Sequence, residues 1–204
     1  MTLRVGIYVY PEVEVLDFAG PYEVFSTASR VAGRLDPSAA PPFAVALLAT
    51  ARDPVRARAG FMVVPDHTLD DHPPLDVLIV PGGVHGPELE RPEVIGWIGR
   101  QARLVGIAAS VCTGAFLLAR AGVLSGLEVT THWEDCDDLR RAFPDLRVRE
   151  GVRWIEHDRI MTCAGISAGL DMSLRMVARL ASQGLAERTA RQMDYEWRQR
   201  EGRR

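Results

Sequence analysis

The residue best placed in this chain for covalent chemistry is Cys112. It closes the apolar run 105–111 and is followed at once by Thr113-Gly114 and an apolar stretch that Gly122 ends. That order predicts a buried strand turning sharply into a helix. In open α/β sheets ligands bind beyond the carboxyl ends of the strands, so the thiol would face a pocket. The orphan N–H groups and positive end of the following helix would lower its pKa from about 8.5 and enrich the thiolate. Gly114 would let the backbone make so sharp a turn. A buried cysteine also serves as a small hydrophobe, and the spacing is compatible with either role.

The other two cysteines read differently. Cys136 lies in Glu134-Asp135-Cys136-Asp137-Asp138, whose carboxylates oppose thiolate formation, and is expected at the surface. Cys163 ends a predicted strand and reads as core, with pocket lining as the alternative. An odd count without a CxxC pair argues against a disulfide framework or a zinc site. His67, His72, His85 and His157 show no ligand spacing, so no metal is expected.

Partners for the thiol come from separate segments. Asp17, between Leu16 and Phe18 at the carboxyl end of the first strand, would be costly to bury unless bonded. Burial would raise its pKa until it held a proton near neutral pH. Its other reading, a cap for a helix beginning near Pro21, places it several residues too early. Gly82-Gly83, after the apolar strand 76–80, would let backbone N–H groups point at a ligand oxyanion, although two such glycines also make a plain turn. His132 is either a base or hydrogen-bond partner near Cys112, or a structural ring.

The elements that must position these residues alternate along the chain. Strands are expected at 3–9, 43–48, 76–80 and 105–111, with a hairpin over 55–64 around Gly60. Helices are expected at 21–33, 92–102 and 115–121. Short strands at 128–131, 152–155 and 160–163 precede a helix carrying Leu170, Leu174, Val177 and Ala181 on one face, then a last helix over 186–197. Continuous apolarity in 76–80 and 105–111 points to strands covered on both faces. The whole predicts one α/β domain over residues 1–204, a doubly wound, mostly parallel sheet with helices on both faces.

Composition sets outer limits. With 47% hydrophobic and 25% charged residues, the chain has the profile of an ordinary globule. A net charge of -3 gives no footprint for nucleic acid or an anionic membrane. Arg188, Arg191, Arg198, Arg200, Arg203 and Arg204 are interleaved with Glu187, Asp194, Glu196 and Glu201, which reads as a solvated helix face. No apolar run reaches the roughly 18 residues of a spanning helix, and no cleavable signal pattern opens the chain, so a cytoplasmic protein is expected.

Five blocks in order give these residues a family likeness: Leu16-Asp17-Phe18-Ala19-Gly20-Pro21, Val80-Pro81-Gly82-Gly83, Ser110-Val111-Cys112-Thr113-Gly114-Ala115, Thr130-Thr131-His132-Trp133 and Ala164-Gly165-Ile166-Ser167-Ala168-Gly169-Leu170-Asp171. Their order and spacing resemble the ThiJ/PfpI group of the class I glutamine-amidotransferase-like superfamily. Within it they look most like isocyanide hydratase, and they are similar to the amidotransferase-like domain of AraC-type regulators. The resemblance implies a flavodoxin-like fold, a homodimer, and a cysteine on a strand–helix turn akin to the nucleophile elbow of hydrolases, although G-x-S-x-G itself is absent. It implies Cys112 as nucleophile, Asp17 as general acid and base, a Thr113 hydroxyl that orients Asp17, and Gly83 and Thr113 amides facing the pocket. The Gly165-Ile166 turn would lie against the cysteine, and no cofactor is implied.

Two departures sort the relatives. Protease-like members have histidine where this chain has Thr113, and glyoxalase-like or deglycase-like members have glutamate where it has Asp17. The turn before Ile166 reads Cys163-Ala164-Gly165 instead of a glycine-rich run, which bears on pocket shape. The leading expectation is therefore a cofactor-free cysteine hydratase adding water to a small electrophile such as an isocyanide. The alternative is a non-catalytic ligand or redox sensor. AraC-type regulators carry a helix-turn-helix region after this domain, and the present sequence runs to Arg204, so a sensor would be expected to act through a separate partner. Oxidation of Cys112 to a sulfinic acid is a third role for an activated thiol.

Overall fold

The computed structural model describes residues 1–199, and the expectations for Arg200, Glu201, Arg203 and Arg204 lie outside them. Eleven strands are found among the described residues. They are β1 (Leu3–Tyr8), β2 (Phe43–Ala49), β3 (Val55–Arg56), β4 (Met62–Val63), β5 (His67–Thr68), β6 (Val77–Val80), β7 (Ile107–Val111), β8 (Glu128–Val129), β9 (Arg147–Val148), β10 (Trp154–Glu156) and β11 (Ile160–Cys163). The helices are α1 (Val15–Leu35), α2 (Gly86–Leu89), α3 (Pro92–Leu104), α4 (Gly114–Arg120), α5 (Cys136–Ala142), α6 (Ala168–Leu180) and α7 (Gln183–Gln192).

Seven strands form one sheet in the order β10-β11-β7-β6-β1-β2-β5, parallel throughout except for β10 against β11. Every side chain of β6 and β7 is buried, as their unbroken apolarity requires of strands sandwiched between helix layers. Helices α1, α6 and α7 pack together in one layer, and α2, α3 and α4 in the other. Strand order reverses at β1, with β2 on one side and β6 on the other. That switch point is where a doubly wound sheet opens a crevice beyond its carboxyl ends. The expected hairpin over 55–64 is present as β3 and β4, joined by a short helical turn at Arg58–Gly60.

Two helix boundaries differ from expectation. Helix α1 begins at Val15, so Asp17 stands in its first turn instead of on the strand, and Pro21 lies inside the helix. Pro21 has no N–H to give the Asp17 carbonyl, so one backbone bond is missing there. The helix persists because Phe18, Val24, Phe25 and Ala28 are all buried. At the other end α7 stops at Gln192, and Asp194 takes φ 51°. The chain then folds back on α6, where the Tyr195 hydroxyl donates to Asp171 Oδ1 at 3.1 Å and the Trp197 ring N–H to the Asp171 carbonyl at 3.2 Å. The expected last helix over 186–197 is thus cut short, and Trp197 packs against the core. Among the described residues no helix is long and apolar enough to cross a membrane.

Candidate functional site

Four chain segments meet beyond the carboxyl ends of the parallel strands. Asp17 follows β1, Gly82 follows β6, Cys112 follows β7 and Ile166 follows β11. Cys112 is 7% exposed and takes φ 55°, a conformation most side chains avoid. It is held there by its N–H to the Cys163 carbonyl at 3.2 Å and by the Thr131 hydroxyl, which donates to its carbonyl at 2.9 Å. The sulfur receives the backbone N–H groups of Thr113 and Ile166. Ile166 is itself strained, at φ 51°.

Asp17 is fully buried opposite the thiol. Its Oδ2 accepts the Gly82 N–H at 3.0 Å, and the carboxyl faces the Cys112 thiol. Burial, only partly offset by the Gly82 bond, pushes the carboxyl up to about 7. Gly82 is required at this spot by close approach. A Cβ there would lie 2.6 Å from both the Thr113 nitrogen and Oγ1, and 2.9 Å from Asp17 Oδ2.

Four expectations change here. The thiol is pushed up, not down, because burial and the facing Asp17 carboxylate outweigh the two N–H groups. The following helix, α4, is only seven residues long. The Thr113 hydroxyl bonds Gly83 instead of Asp17, accepting its N–H at 3.0 Å and lying 3.2 Å from its carbonyl. The Gly83 amide is thereby engaged, leaving the Thr113 amide turned to the sulfur. Cys136, expected at the surface, is buried because α5 begins at it and packs it inward, its thiol 3.5 Å from the His132 carbonyl. Cys163 is core.

A cavity of about 330 Å³ opens over Cys112, and Gly83, Thr113, His132 and Ile166 also border it. The His132 ring lies on Gly165, where a Cβ would come within 2.1 Å of ring carbon Cδ2. Its Nδ1 faces Asp135 at 3.3 Å and Glu134 at 3.7 Å. Sequence reasoning missed Glu14, Arg58, His85, Glu134 and Asp135 as lining residues. His85 had a signal, its place two residues after Gly83. It stacks on Phe116 with ring centroids 4.5 Å apart, and burial lowers its pKa. Among the described residues no three His, Cys, Asp or Glu side chains converge as a metal site.

The arrangement puts a thiol and two N–H groups at one small opening, with a carboxyl of near-neutral pKa buried against the thiol. That is equipment for acid- and base-assisted attack on an electrophilic carbon. The DJ-1/PfpI family model matches residues 3–179. Isonitrile hydratase of Pseudomonas putida is 32% identical over 196 residues, covering 96% of this chain and 79% of that protein. The HTH-type transcriptional regulator GbdR of Pseudomonas aeruginosa is 32% identical over 142 residues, 70% of this chain and 38% of the regulator. A THiJ/PfpI family protein from Pseudomonas syringae superposes with a TM-score of 0.83 at 29% identity, over 96% of this chain and 76% of that one.

Proposed function

The chain belongs to the DJ-1/PfpI family, and from that premise we propose that it is a cofactor-free, cysteine-dependent hydratase converting an isocyanide and water to an N-substituted formamide. The observation that supports this most directly is the buried Asp17 facing the Cys112 thiol with a proton affinity poised near neutrality. In the resting site the thiol keeps its proton. Asp17 as carboxylate removes it, and the sulfur attacks the terminal carbon of R–N≡C, forming the S–C bond. Asp17 then returns the proton to that same carbon, giving the thioimidate R–N=CH–S–Cys112.

In the second half Asp17, again a carboxylate, takes a proton from water as its oxygen adds to the thioimidate carbon. The tetrahedral adduct collapses with cleavage of C–S. The nitrogen and the sulfur end with one proton each, releasing R–NH–CHO and restoring the thiol. The Thr113 and Ile166 N–H groups stabilise the sulfur whenever it carries negative charge. Thr113 acts through Gly83, fixing the turn that supplies the N–H to Asp17.

Cys112→Ala should abolish formamide release from an alkyl isocyanide, followed by chromatography, while circular dichroism stays unchanged. Undiminished turnover in that variant would remove the assignment. A second reading, a non-catalytic ligand-sensing domain, is favoured by the raised proton affinity of the thiol and by the likeness to GbdR. It predicts saturable binding of a small molecule with no turnover of any isocyanide by the unaltered protein.

A further inference from the structure

The walls of the cavity over Cys112 are charged, which is unusual for a site built to hold a plain hydrocarbon substituent. Glu134 and Asp135 are turned to His132 on one wall. Arg58 borders the same cavity, and its guanidinium has no ion-pair partner among the described residues. The backbone fixes its position. The Arg58 N–H donates to the Val13 carbonyl at 3.0 Å, and Val13 is bridged in turn to Gly83 beside the thiol. The neighbouring Ala57 is fully buried, and its N–H closes the turn on the Phe61 carbonyl at 2.8 Å. Ala59 takes φ 54° to complete it. A strained turn stitched to the catalytic loop thus presents one cation to the mouth of the site.

We propose that Arg58 is the specificity-determining residue of this site and recognises a single carboxylate on the substrate's substituent. The inference rests on the hydratase reading for its reaction and adds the substrate class, an isocyanide or similar small electrophile bearing one negative charge. Guanidinium suits a carboxylate because its planar fork can give two parallel N–H bonds. Glu14, Glu134 and Asp135 border the same cavity, the last two turned to His132, and together they oppose a more highly charged anion.

Alkylation of Cys112 tests Arg58 without any isocyanide. Iodoacetate and iodoacetamide differ in charge and react alike. The sulfur forms a bond to the CH2 carbon, iodide leaves with its electron pair, and the thiol proton passes to solvent. The ratio of their rates at Cys112, read by peptide mass so that Cys136 and Cys163 do not contribute, should fall about fivefold to tenfold in Arg58→Gln. The iodoacetamide rate itself should stay within about twofold, since the side chain is exposed and its loss leaves the core intact. Arg58→Lys should recover part of the ratio. An equal ratio in the unaltered protein and Arg58→Gln overturns the proposal.

A parallel comparison uses a neutral and a carboxylated alkyl isocyanide. Arg58→Gln should lose about fivefold to tenfold in kcat/KM on the carboxylated one only. If the unaltered protein releases formamide from neither, the hydratase reading fails, and the alkylation ratio alone then decides the role of Arg58.

Discussion

At the scale of single residues, Asp17 sets a measurable cost. Its folded pKa of about 7 lies above the unfolded value of about 3.9, so the folded chain binds a proton that the unfolded chain releases. Stability from the neutral acid is fully present below pH about 4 and is lost as pH rises through 7. Urea denaturation should therefore show the unaltered protein losing up to about 4 kcal/mol against Asp17→Asn between pH 4 and pH 8. The same variant should lose formamide production, because amide nitrogen cannot shuttle the proton. A pH-independent difference would show that Asp17 stays ionised in the folded protein.

At the scale of elements, the turns after β6 and β7 decide whether acid and thiol meet. Gly82→Ala would force its Cβ against Thr113 and Asp17, at an expected cost of about 1–3 kcal/mol. Because displacement by about 1 Å at a reacting centre costs on the order of a hundredfold, turnover should fall far more than stability does. Kinetics and thermal denaturation of one sample would compare the two losses. Strands β6 and β7, and the turn at Cys112, were legible because both strands are continuous apolar runs ending in glycine-bearing turns, whereas the two-residue strands β5 and β9 were not expected. The start of α1 was not. Pro21 normally marks a first turn, and only the burial of Phe18, a tertiary effect, extends the helix before it. The thiol's proton affinity was misjudged for the same reason: the burial that raises it most is a tertiary effect, and the short helix after the cysteine does not reveal it. Arg58 gave no signal, since its position depends on a bond to Val13 45 residues away in sequence.

At the scale of the whole molecule, the segment after α7 docks residues 195–198 on α6, the helix that follows the Ile166 turn. Asp171 in α6 is fully buried, pairs with Arg153 at 2.5 Å, and accepts bonds from Tyr195 and the Arg198 N–H. Asp171→Ala should cost about 3–5 kcal/mol, because it strands the largely buried Arg153 charge and releases the returning segment. Urea denaturation would measure that cost, and limited proteolysis should show faster cleavage near residues 194–198. Unchanged stability would mean that the segment is held by its apolar contacts alone.

The four turns that build the site lie far apart in the chain, at Asp17, Gly82, Cys112 and Ile166. A nascent or refolding chain possesses none of the chemistry until the last of them docks, since each supplies one partner to the others. Pairings of such long range form slowly. During that interval Cys112 is an ordinary flexible thiol, free of Asp17 and open to oxidants. Maturation of the protein is therefore also the event that hides its thiol, and recovered activity after dilution from urea becomes a clock for the final docking step.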